Sequence, residues 1–89
     1  MDKKTILYFC NSYLLMLDYY KTVEEVISDF CGKESSEKVE DLRNECRLIL
    51  QLDSQERTRQ INEIISNIKY IDVKEEEIEH ILQVIYSKI

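Results

Sequence analysis

The chain has 89 residues, 44% hydrophobic and 34% charged, with eighteen acidic residues against twelve basic ones and a formal net charge of −6. That length holds one hydrophobic core and excludes a second domain, so residues 1–89 read as a single helical domain, and the apolar share excludes the regime in which chains stay disordered. The negative balance repels phosphate backbones and anionic lipid surfaces, so neither direct nucleic-acid binding nor membrane attachment is expected, and a basic protein is the partner it favours.

With no proline and one glycine, the chain lacks the turn residues that sheets and long loops need. The expected fold class is all-α: a compact bundle of four to five helices with short loops, as a monomer or small homo-oligomer. The first helix is expected over residues 3–20. It is apolar around most of its circumference (Ile6, Leu7, Phe9, Cys10, Tyr13, Leu14, Met16 and Leu17), which predicts a central position. Its opening imitates a signal peptide, but Asn11 and Ser12 interrupt the apolar run and Asp18 follows without a small-residue cleavage site, so neither a leader nor a membrane span is expected.

The second helix is expected over residues 23–31, opened by the capping box Thr22-Val23-Glu24-Glu25 and stopped by Gly32 in a left-handed conformation. Residues 33–36 read as a polar connector, with Ser36 capping a third helix whose inner face is Val39, Leu42, Cys46, Ile49 and Leu50. Asp53-Ser54-Gln55-Glu56 opens a fourth helix with Ile61, Ile64, Ile65 and Ile68 on one face. Asp72-Val73-Lys74-Glu75 opens a fifth with Ile78, Ile81, Leu82, Ile85 and Ile89.

Cys10, Cys31 and Cys46 each fall at an apolar helical position and are expected to be reduced core residues of a cytoplasmic protein. Together with His80 they lack the short ligand pairs of a zinc site. Glu77-Ile78-Glu79-His80 is one Glu-x-x-His motif where a di-iron bundle needs two. The run Glu75-Glu76-Glu77-Ile78-Glu79 is similar to the Glu-Glu-x-x-Glu signature of small helical nucleotide pyrophosphatases, but their second acidic motif, Glu-x-x-Asp, does not follow. Four carboxylates beside a helix N-terminus also complement its dipole. No cofactor, no metal and no catalysis are expected, since the chain has neither a phosphate-cradling glycine loop nor a turn for a nucleophile.

What remains is an uneven charge map. Residues 22–45 carry a net −5 and residues 72–89 a net −3, against +1 on each of the other two stretches. Helical spacing puts Glu34, Glu37, Glu40, Asp41 and Glu45 mainly opposite the apolar face of the third helix, an expected exposed strip, and Glu75, Glu76 and Glu79 form a second acidic patch. Like charges at Glu37 and Asp41, and at Asp41 and Glu45, repel at i, i+4 spacing, a cost that a purely structural face avoids. Tyr19 and Tyr20, beside the acidic second helix, supply the amphipathic anchors that interfaces favour.

The composition, rich in lysine, isoleucine and glutamate, and the segment Tyr70-Ile71-Asp72 ahead of a terminal helix resemble the small acidic helical immunity proteins that bacteria pair with nuclease toxins of the colicin D and contact-dependent inhibition type. The resemblance covers a short part of the chain and carries over no site residue. It implies a non-catalytic inhibitor that occludes the cationic cleft of a toxin nuclease domain, an association that opposite charge steers. The alternatives are a phage or plasmid regulator that mimics nucleic-acid charge, and a homodimeric helical adaptor.

Overall fold

The fold was read from a computed structural model, which describes residues 1–18, 22–69 and 72–89. It contains α1 (Lys4–Ser12), a 3₁₀ segment (Leu14–Asp18), α2 (Val23–Lys33), α3 (Ser36–Leu50), α4 (Ser54–Ser66) and α5 (Glu75–Lys88), and no strand among the described residues. The all-α class is therefore as expected, with two residues between α2 and α3 and three between α3 and α4. The radius of gyration is 12.0 Å, the value of about 12 Å expected for a folded chain of this length.

The helix starts follow the capping chemistry in part. Thr22 Oγ1 accepts from the Glu25 N–H at 3.2 Å while Glu25 Oε1 accepts from the Thr22 N–H at 3.4 Å, a complete capping box. Asp53 Oδ1 accepts from the Glu56 N–H at 2.9 Å. The cap of α3 is Ser35, whose Oγ accepts from the Lys38 N–H at 3.2 Å, and Ser36 is already helical. Asp72 does not cap α5, which begins at Glu75. There the Lys74 N–H donates to Glu77 Oε1 at 3.1 Å, and three glutamates fill the first turn, where the helix dipole favours negative charge.

Three helix ends differ from expectation, and α4 is one of them: it stops at Ser66, so Ile68, expected on its apolar face, lies beyond it. The first helix does not run on to residue 20 but stops at Ser12. The Met16 N–H reaches back three residues to the Tyr13 carbonyl at 3.0 Å, and the chain tightens into the 3₁₀ segment. A run that is apolar on all sides cannot bury itself along one straight axis. The tighter turn, with three residues per revolution, buries Leu14 and sets Leu17 on the same edge against the core. Residues 19–21 lie outside the described part. The second helix passes through Gly32 and ends at Lys33, with no residue at positive φ, and Glu34 leaves it in extended conformation. Gly32 thus sits in the last turn as an ordinary helical residue, and a β-carbon built there meets nothing within 4 Å. The Gly32→Ala variant is expected to gain about 0.5–1 kcal/mol, read as a higher midpoint in thermal or urea unfolding.

The first helix is not the centre of the bundle. The closest pairing is α3 with α5; α5 also packs on α2 and α4, while α3 also receives α1, α2 and α4. Leu42, Cys46 and Ile49 of α3 and Ile78, Leu82 and Ile85 of α5 are fully buried between these layers. Polar side chains lock the periphery. The Lys3 ammonium donates to Gln60 Oε1 and pairs with Glu63 Oε2, both at 2.8 Å. The Asn11 amide donates to the Asn67 carbonyl at 3.2 Å and accepts from the Lys69 N–H at 3.0 Å. Arg57 Nε pairs with Glu79 at 2.8 Å, holding α4 to α5.

Cys10 and Cys46 are core residues, as expected, but Cys31 is exposed. Val26, Ile27 and Phe30 define the buried side of α2, and Cys31 stands past its edge. Burial pushes the Cys10 thiol up to about 12 and raises the Cys46 thiol as well, so both resist ionisation. A thiol reagent is expected to modify one cysteine per native molecule, Cys31, and all three after denaturation. Two fast equivalents in the native protein would contradict this packing.

Candidate partner-binding surface

The strip expected to carry function lies on α3, with Glu34 just before it, and the outer side of α1 stands beside it. Glu37, Glu40 and Asp41 are exposed there and form no ion pair or hydrogen bond among the described residues. Helical spacing places them on one side of α3, away from Leu42, Cys46 and Ile49. The exposed side chain of Leu48 continues the same side one turn beyond Asn44.

Two members of the expected strip are not free. Glu45 is 7% exposed. Its Oε1 accepts from the backbone N–H groups of both Thr5 and Ile6 at 3.0 Å. These are orphan donors of the first turn of α1, whose own N-cap, Lys3, has no acceptor to offer. Glu45 is therefore the remote cap of α1, placed inward because it stands three residues after Leu42 and four before Ile49. Desolvation pushes its carboxyl above the usual range, against the opposing pull of the Thr5 hydroxyl and the two N–H groups.

Glu34 is half-buried and is also committed. Its Oε2 accepts from Tyr8 Oη at 2.9 Å and Tyr13 Oη at 2.5 Å. These two phenols hold its carboxyl below the usual range, Tyr13 more than Tyr8. Behind them lies an aromatic cluster. Phe30 is met edge-on by Tyr13 at 5.1 Å and by Phe9 at 5.5 Å, and Phe9 stacks on Tyr13 at 5.9 Å. Tyr8 closes the cluster at the surface, 38% exposed and 6.4 Å from Phe30. Its hydroxyl is tied to Glu34 and its ring face is covered by Lys38 Nζ at 4.2 Å.

Tyr8 is thus a tyrosine at the edge of the strip, whereas the anchor tyrosines expected from the sequence are Tyr19 and Tyr20. Those two residues lie outside the described part, as do Tyr70 and Ile71 of the segment that carries the resemblance. The signal for Tyr8 is its position on the polar side of α1, between Lys4 and Ser12. A cleft of about 310 Å³ opens beside it between α1 and α3, lined by Lys4, Thr5, Tyr8, Lys38 and Asp41.

The second acidic patch is partly neutralised. Glu75 accepts from Asn62 Nδ2 at 2.6 Å, Glu79 is paired with Arg57, and Glu76 alone of the three stands exposed without such a partner among the described residues. Among the described residues no three histidine, cysteine or acidic side chains converge as a metal site, and no helix is long and apolar enough to cross a membrane. Comparison with family models, curated proteins and solved structures finds no match to this chain.

Proposed function

We propose that this protein is a non-catalytic inhibitor that binds a basic protein, acting in the cytoplasm as an immunity protein that occludes the cationic cleft of a toxin nuclease domain. One observation carries the reading. Glu37, Glu40 and Asp41 share an exposed side of α3 and form no ion pair among the described residues, beside Tyr8, a tyrosine already immobilised at the surface. Uncompensated charge of one sign attracts an oppositely charged surface and speeds its arrival. A rigid, partly exposed tyrosine adds contact area at little cost in conformational entropy. Glu34 and Glu45 serve the architecture in this reading, and the contact surface is Tyr8, Glu37, Glu40 and Asp41.

The test is protection and binding against a cationic nuclease domain encoded beside this gene. Co-expression is expected to rescue growth, and the purified pair to associate one to one with a rate that falls as salt rises. Charge reversal at Glu37, Glu40 and Asp41 together is expected to slow association by about tenfold or more, with melting lowered only slightly, since Glu37 stands in the first turn of α3. Full affinity in that triple variant removes the proposed face. Failure to protect against such a domain removes the immunity reading.

A further inference from the structure

We propose that the Tyr8 side of the cleft between α1 and α3 receives an arginine side chain of a basic protein partner, with Lys38 as the placeholder that it displaces. The inference rests on the reading above and specifies what the partner inserts. Lys38 Nζ lies 4.2 Å from the Tyr8 ring centroid, so a cation already occupies this ring face. The ring is fixed from behind by Phe30 and Tyr13, and its hydroxyl by Glu34. Asp41 lines the same cleft with no partner of its own among the described residues.

A planar guanidinium fits this arrangement better than the resident ammonium. It stacks flat on a phenol ring, gives up its hydration more readily, and presents two parallel N–H groups to one carboxylate. Lys38 forms no ion pair among the described residues and is joined to α3 by a flexible stem, so little opposes its release. With Lys38 swung out, Lys4 and Asp41 balance one another in the lining, and Glu34 at the phenol hydroxyl tips the site negative. A phosphate or carboxylate would instead meet Asp41 inside the cleft.

The experiment is an NMR titration of the full chain with hexa-arginine, hexa-lysine and inorganic phosphate. Hexa-arginine is expected to shift the amides of Tyr8, Lys38 and Asp41 saturably and to bind about two- to fivefold tighter than hexa-lysine. Lys38→Met is expected to tighten arginine binding by a similar factor. Lys69→Met, which makes the same change in net charge at an exposed site outside α3, is the control and should do less. Asp41→Asn, an exposed change that leaves the core intact, should weaken it. Equal affinity for the two peptides, shifts spread over all carboxylates, Lys38→Met no better than Lys69→Met, or phosphate alone saturating the cleft would each overturn the proposal. No toxin enters this titration. Growth protection with a failed titration therefore rejects the cleft alone, and the reverse rejects the immunity reading alone.

Discussion

Glu45→Ala is expected to lose about 2–4 kcal/mol, a large part of the roughly 4–13 kcal/mol typical of a domain this size. Two N–H groups in the first turn of α1, on residues 2% and 0% exposed, would be left with no acceptor and no water. The melting temperature should fall by roughly 8–30 °C. Glu45→Gln should cost less than about 1 kcal/mol, because its amide oxygen can accept both bonds and the Thr5 hydroxyl can turn to accept from the amide nitrogen. Equal losses in the two variants would mean that the cap is not what Glu45 supplies.

The pH dependence of this pair follows from the raised carboxyl of Glu45. The folded protein holds that proton at pH values where the unfolded chain has already released it. The contribution of Glu45 to stability is therefore full below the ordinary glutamate value and declines as pH rises through the folded value. Glutamine does not titrate. The difference in melting temperature, Glu45→Gln variant minus parent, should be more positive at pH 7 than at pH 4. The opposite slope would show that the buried negative charge is itself stabilising.

Phe30→Ala is expected to lose about 3–5 kcal/mol, a large part of the stability typical of a domain this size. Phe30 is fully buried, with Phe9, Tyr13 and Tyr8 around its ring. Truncation removes the edge-to-face partners of three aromatic residues at once. It also undercuts Tyr13 and Tyr8, whose hydroxyls anchor Glu34 at the joint between α2 and α3. Phe30→Leu keeps most of the volume and should cost clearly less. Far-ultraviolet circular dichroism during urea unfolding measures both. A Phe30→Ala protein with parental stability would contradict the cluster.

Features set by local spacing are legible in the sequence. The helix starts at Thr22 and Asp53 and the apolar faces of α3, α4 and α5 depend on residues within one or two turns of each other. What spacing misses depends on distant partners. It places Glu45 on the solvent side with Glu37 and Asp41, because nothing within α3 itself reveals that Thr5 and Ile6 need an acceptor. Two signals are present together: a first helix without a capping residue, and a glutamate on the row of Leu42 and Ile49. Glu34 reads as part of the strip, when its partners are phenols 21 and 26 residues earlier. Tyr8 stands on the polar side of the first helix, and only Glu34, at the α2–α3 joint, makes it a fixed surface group. Gly32 shows the converse: the residue that most readily ends a helix is absorbed by one, because the last turn asks nothing of that position but space.

The remote cap on α1 also has a consequence for the order in which the molecule is made. During synthesis the first helix leaves the ribosome about forty residues before the carboxylate that satisfies its opening amides. The groups that meet Lys3 and Asn11, the Gln60 side chain and the Asn67 carbonyl, follow later still. Until then α1 is a nine-residue segment, too short to hold helical form in water by itself. The first helix is thus completed by parts that emerge much later, and a nascent chain ending before α3 should show little helix over residues 4–12.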